Sequence, residues 1–402
     1  MIADRTPMRW PPAWQSPGTL NLLKGTPFNC LLDVTPGIAD AARHAGIEVL
    51  AKDAVPDGVT ILEGVWPGIK MARFGASNAV TAGPTGDPWV NSNIWPVRLA
   101  QARNPGATVW VGQSAIPVGL ASVSYATAIA DAALTGGRWI LSLDPALATA
   151  MLEGKPGALA SWNRIVSAAG FFAAHRVWSD YRPEALVGIV SAFATSAEQE
   201  VLNLIARSGQ QYRVIVLENF TPSSLDRLRA VILPDKDEPL PSVREALTRF
   251  IDAGGLLIAG KTWEPTPRMI AKRETHPRFN LFTLGNGTLA IAKGDLNDPY
   301  ILASDAAILV SHRHDLLRFW NGGALSAYYS AAPDRKRAVV QILFYADRPT
   351  EDASLRIAGN YRSAMLSTFE NPDPRPVHAE INEEAIEIHL PRVDTYAAVE
   401  LE

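Results

Sequence analysis

Three carboxylates and one amide stand where short apolar runs end. Asp33 closes FNCLLD (28–33), Glu63 lies near the end of VTILEG (59–64), Gln113 closes TVWVGQ (108–113) and Asp144 closes RWILSLD (138–144). If those runs are parallel strands, their carboxyl ends deliver all four groups to one rim, where α/β units collect function. Paired carboxylates there could share general acid and base work, as glycoside hydrolysis requires. The competing expectation is capping. Asp33 precedes Thr35–Pro36–Gly37 and Asp144 precedes Pro145, both suited to open a helix. Glu63 and Asp144 form the best catalytic pair, with Asp33 third.

The stretch GPTGDPWVNSNIWP (83–96) adds binding chemistry. Its glycines and prolines argue against a regular helix or strand. Asp87, Trp89, Asn91, Asn93 and Trp95, joined by Trp66 in EGVWPG, set indole rings beside short amide and carboxyl groups. A sugar needs that combination: rings stack on its C–H face and polar groups hydrogen-bond its hydroxyl edge. Gln113 belongs to the same set. The alternative is turn formation by Asn and Asp, with the tryptophans filling gaps.

The surrounding elements must hold this rim. Strand patterns at 28–33, 47–51, 59–64, 78–83, 108–113 and 138–144 alternate with the helical stretches TPGIADAARHAG, VRLAQAR and SYATAIADAALTGG. That rhythm predicts a parallel sheet covered by helices, a partial TIM-barrel-like unit over 1–182 closed by a helix at 158–178. Six strands fall short of the eight in a full barrel. The rhythm restarts at LVGIVSAF, predicting a doubly wound α/β unit over 183–300. Its helix SAEQEVLNLIARSG offers a capping box at Ser196 and Gln199. FNLFTLGNGTLAIAKG reads as a hairpin. Residues 301–402 read as a helix, running through HRHD, followed by an antiparallel β-sandwich.

Composition narrows the partners. The 402 residues are 47% hydrophobic and 19% charged, with net charge −4 and pI about 6.0. No basic surplus supports nucleic acid or an anionic membrane. The lone Cys30, in an apolar run, excludes an internal disulfide and a zinc–thiolate cluster and reads as an inert buried thiol. No dinucleotide or P-loop motif and no metal-ligand set appears, so neither cofactor nor metal is expected; His312 and Asp315 read as a hydrogen-bonded pair. The N-terminus lacks a signal-peptide pattern and no run spans a membrane, so a cytoplasmic protein is expected, or an exported one whose signal has been removed.

Three segments together, GPTGDPWVNSNIWP, EALVGIVSAF to GGLLIAG, and SHRHDLLRFWNGGALSAYYSA to YAAVELE, resemble bacterial glycoside-hydrolase-like proteins of β-galactosidase architecture. The resemblance implies a barrel-like domain, an amidotransferase-like domain used for oligomer contacts and a C-terminal sandwich. Those enzymes carry an acid/base glutamate as Asn-Glu after the fourth strand. No Asn-Glu occurs in the first 180 residues here, and TVWVGQ offers Gln113 instead. The middle unit has no G-x-C-x-G or G-x-S-x-G nucleophile turn. Two functions therefore compete: a divergent glycoside hydrolase, and an inactive sugar-binding or assembly protein that kept the architecture. An isomerase or lyase using the same rim is a third.

Overall fold

The computed structural model describes residues 4–51, 54–69, 71–73, 80–82, 90–113, 116–117, 119–235, 237–345 and 353–402, with backbone alone at 69, 71–73 and 80–82. Asp87 and Trp89 lie outside the described residues.

The N-terminal unit holds six short parallel strands: β1 (Pro7–Arg9), β2 (Cys30–Leu32), β3 (Glu48–Val49), β4 (Val59–Glu63), β5 (Thr108–Gly112) and β6 (Arg138–Trp139). They pair as β1-β2-β3 and as β6-β5-β4. A parallel bridge from Met8 to Leu141 joins the two sets. The Arg9 N–H donates to the Leu141 carbonyl at 2.8 Å. The first of these six parallel strands thus lies beside the sixth, and the order in space is β3-β2-β1-β6-β5-β4. The described residues do not complete an eight-stranded barrel.

Two strand expectations need correction. Val80–Ala82, placed in the parallel sheet by its sequence, instead pairs antiparallel with Met71–Arg73. Six intervening residues are too few for a parallel crossover, which needs a dozen or more. β1 was hidden in the proline-rich start. Pro7 is tolerated because it heads a three-residue strand.

Helices α1 (Pro36–His44), α2 (Ile94–Arg103), α3 (Ser122–Ala133), α4 (Pro145–Leu152) and α5 (Pro156–Ala174) accompany this sheet. α2 takes in the end of the stretch expected to be irregular. Pro96 sits in its first turn, where a missing N–H costs nothing. Of the stripe Trp162, Ile165, Ala169 and Phe172 that the spacing on α5 predicts to pack in the core, the first three are buried and Phe172 is half-buried. Side chains alternate along the strands. Cys30, Leu32, Val59, Trp110 and Ile140 form an inner cluster, while Leu31, Val109, Val111 and Leu141 pack under the helices. Burial pushes the Cys30 thiol up to about 12, so it is inert.

The middle unit is a seven-stranded sheet. Its strands are β7 (Val187–Ser191), β8 (Tyr212–Val216), β9 (Ala230–Leu233), β10 (Leu256–Ala259), β11 (Ile270–Ala271), β12 (Phe279–Leu284) and β13 (Gly287–Ala292), in the order β8-β7-β9-β10-β13-β12-β11. The first five are parallel, and the expected hairpin supplies the antiparallel β12–β13 pair. Helix α6 (Ser196–Arg207) starts one residue earlier than its sequence suggested. Thr195 is the N-cap and Glu198 completes the box, because Glu198 reaches back to the Thr195 N–H. Thr195→Ala should cost about 1 kcal/mol in urea unfolding with an unchanged denaturant slope.

Helix α7 (Pro241–Asp252) covers one face and α8 (Pro299–Val310) the other. α8 buries Leu302, Ala303 and Ala306 in the cluster it shares with α6, so its core is the middle unit's. It also stops at Val310 rather than running on to Trp320. Ser311 turns at φ 68, and Leu317–Trp320 becomes strand β14.

The remaining strands are β15 (Leu325–Ala331), β16 (Ala338–Phe344), β17 (Ser354–Ala358), β18 (Ala364–Thr368), β19 (Arg375–Pro376), β20 (Ala379–Ile381), β21 (Ala385–His389) and β22 (Tyr396–Leu401). They form two antiparallel sheets: β15-β16-β22-β18-β19, edged by Arg182–Pro183, and β14-β17-β21-β20. One apolar cluster fills the space between them, which gives the expected sandwich. The outer face of the larger sheet packs on the N-terminal unit. There Phe172 of α5 meets Tyr396 edge-on, and Phe369 stacks on Tyr396 with centroids 4.9 Å apart.

Candidate functional site: the carboxyl-end mouth of the parallel sheet

Period-two alternation places Glu63 on the same side of β4 as Val59 and Ile61, above the inner cluster. It is exposed, and its Cα partner on β5 is Gly112, immediately before the half-buried Gln113. Ser142 shares the parity of Ile140 beyond β6. Its hydroxyl is buried and has no partner among the described residues. The indole N–H of Trp110, in the same inner cluster, is also buried and has no partner among the described residues. Buried polar groups in folded proteins are almost always satisfied. Both atoms lie in the buried layer below the Glu63 tip.

Asp33 follows β2 in the left-handed region at φ 59, which Asp tolerates better than most residues. Its carboxylate accepts from the Arg9 guanidinium at 2.6 Å. Both side chains remain partly exposed, so the pair orients the carboxylate more than it stabilises the fold.

Other residues expected at the site make contacts within the fold. Asp144 is 3% exposed. It caps α4, accepting from Ala146 N–H at 2.9 Å and from Gly119 N–H at 2.7 Å. The hydroxyl of Tyr125 accepts from the Asp144 N–H. The capping role weighed for Asp144 is therefore the one its contacts describe. Trp66 packs edge-on against Tyr125 and Trp139, with centroids at 5.4 and 5.0 Å. Asn91 is half-buried in a short ladder with Gly68. Trp95 lies on α2 and packs into the middle unit's core.

Asn93 is buried and acts as a clamp. It accepts from Val65 N–H at 2.8 Å and donates to the Val65 carbonyl at 2.9 Å. Its amide also donates to Asp131, as does its backbone N–H. A methyl added at Gly64 would meet Val111 at 2.3 Å and Asn93 Oδ1 at 2.7 Å. Gly64→Ala should therefore cost about 1–3 kcal/mol in urea unfolding and disturb the Glu63 tip.

Asp131, absent from the sequence-based set, is the hub of this support. It is fully buried in α3 and accepts from the Ser92 hydroxyl at 2.9 Å, from Asn93, and from the Tyr345 hydroxyl at 2.7 Å. Burial pushes its pKa above the usual carboxylate range, against the pull of those hydrogen bonds. Tyr345 follows β16, so the network ties the sandwich to the strand tip carrying Glu63. The available signal was one charge inside the apolar run ATAIADAAL. His312 and Asp315 form the expected hydrogen-bonded pair at 2.8 Å, and no three metal-ligating side chains converge among the described residues. None of the described helices is long and apolar enough to cross a membrane.

Neither a family model nor a curated protein sequence matches this chain. Its fold is similar to that of solved glycoside hydrolases. α-L-Fucosidase isoenzyme 2 from Paenibacillus thiaminolyticus aligns over 91% of this chain and 70% of its own, with TM-score 0.55 and 11% identity. A β-galactosidase from Rahnella sp. R3 aligns over 77% and 58%, with TM-score 0.47 and 9% identity. A rhamnosidase from Novosphingobium sp. PP1Y aligns over 90% and 38%, with TM-score 0.48 and 11% identity.

Proposed function

We propose that this chain is a carbohydrate-active protein that binds a saccharide at the carboxyl-end mouth of the N-terminal sheet and cleaves a glycosidic bond there. The observation that carries this reading is exposed Glu63 at the end of β4, paired with Gly112 immediately before the half-buried Gln113, with the Arg9-bound Asp33 after β2. The fold likeness to the fucosidase supports the same reading. Glu63 is the general acid or base and Asp33 the second carboxylate, held by Arg9. Gln113 reads a neighbouring hydroxyl. Asp87 and Trp89 belong to the proposed binding set, while Asp144, Asn93 and Trp66 hold the frame.

A second reading is binding without cleavage. It is favoured by the burial of Asp144, which removes one of the two carboxylates best suited to hydrolysis. A panel of 4-nitrophenyl glycosides, including α-L-fucoside and β-D-galactoside, read for nitrophenol release and for thermal shift, separates the readings. Release with at least one glycoside is the expected result. A thermal shift without release supports the second reading. No release and no shift across the panel overturns both.

A further inference from the structure

At the opposite end of the same sheet two cavities meet. An inner chamber of about 60 Å³ has the aromatic walls Phe28, Trp139, Phe172 and Trp178, with His175 stacked between Phe171 and Trp178 at 4.3 Å from each. An outer vestibule of about 480 Å³ opens beside it, lined by Arg98, Arg138, Arg213, Asp180, Tyr181 and Tyr328. Gly136, Arg138 and Ser179 border both. Thr6, Phe28, Thr108 and Arg138 stand at or just before the amino ends of β1, β2, β5 and β6, so this is the face away from Glu63.

Arg98, Arg138 and Arg213 line the vestibule with Asp180; Arg98 also donates to the Tyr212 carbonyl, and Arg213 to the Ser224 and Asp226 carbonyls. Arg98 stacks on Tyr212 and Tyr328, at 3.8 and 5.3 Å from the ring centroids. Burial, and then repulsion from Arg176, bring the Arg138 pKa down to about 10. Burial also lowers that of Arg213. An anion between them would relieve that strain. Trp139, which lines the chamber, and Thr135, which lines the vestibule, carry an indole N–H and a hydroxyl that are buried from solvent and have no partner among the described residues. The connecting wall is bare backbone. Gly136 turns at φ 86, and a methyl at Gly137 would come within 2.8 Å of the Ala132 carbonyl. The combined dimensions suit a small ligand.

We infer that this double cavity is a second ligand site, taking a small aromatic anion whose ring enters the chamber and whose phosphate or carboxylate meets the arginines. The ring stacks among Phe28, Trp139 and Trp178, and the anion accepts from Arg138 and Arg213 with the Thr135 hydroxyl as a further donor. This site is independent of the saccharide reading and lies at the other end of the sheet.

Isothermal titration of the full chain tests it with phenyl phosphate and benzoate, against inorganic phosphate and phenol as half-ligands. At least one aromatic anion should bind with single-site stoichiometry, and both half-ligands about tenfold or more weakly. Ala173→Leu, which fills the chamber, and Arg213→Gln, which removes a vestibule charge, should each weaken binding about tenfold or more. No binding of either aromatic anion overturns the inference. So does an affinity unchanged in both variants, or one matched by inorganic phosphate alone. If a variant loses its far-ultraviolet signature, the wild-type comparison with the two half-ligands decides the matter.

Discussion

Asp131→Ala should destabilise the N-terminal unit by about 4 kcal/mol, among the largest effects expected of any single substitution here. The carboxylate accepts from the Ser92 hydroxyl, two N–H groups of Asn93 and the Tyr345 hydroxyl. Removing it strands these donors in a dry interior. Stranding a donor costs its full desolvation, which is far more than the net value of the bond. Urea unfolding followed by tryptophan fluorescence measures the loss. A change below about 1 kcal/mol would show that the network carries little of the stability.

The pH dependence has a definite sign. The folded pKa of Asp131 lies above the unfolded value. Below the ordinary carboxylate range both states are protonated and the group contributes no slope. As pH rises from that range through the raised folded pKa, the unfolded state ionises first and stability falls. Asp131→Asn should flatten that segment of the stability profile.

Glu63→Gln should lower turnover of a responding glycoside by about 10²–10⁴-fold, the usual contribution of a positioned acid or base. It should leave unfolding within about 0.5 kcal/mol, because Glu63 is exposed at a strand tip. The replacement keeps the size and removes the proton-transfer group. Asp33→Asn, by comparison, also loses the charge that holds Arg9. Turnover within threefold of wild type in Glu63→Gln would remove Glu63 from the chemistry.

Local pattern disclosed much of this molecule. The apolar runs closing at Asp33, Glu63 and Gln113 are strand ends. The stripe on α5 is a buried face, and the Gly285–Gly287 hairpin lies in the middle sheet. These features depend on residues a few positions apart. What stayed hidden depends on distant partners. Met8 belongs to a strand because Leu31 pairs with it in the β1–β2 ladder, and Leu141, more than a hundred residues away in the chain, bridges it as well. Asp131 reads as a charge misplaced in an apolar helix until Tyr345 of the sandwich reaches it. Asn93 has the composition of a sugar contact, yet Val65 and Asp131 use its amide. Residue type shows what a side chain can bond. Only the assembled chain decides whether a ligand or the backbone takes that bond.

The same distinction bears on activity. Asp144 and Glu63 end neighbouring stretches of similar character, but one is sealed under α4 and the other stands open. The saccharide reading therefore rests on a mouth with Glu63, Asp33 and Gln113.

Hydrogen–deuterium exchange with and without a glycoside that responds in the panel tests that mouth most directly. The account predicts slower exchange at residues 31–35, 61–66 and 111–113, with no change around 135–138 and 175–179. Protection confined to the second group, or no protection at the three strand tips under saturating ligand, would contradict it.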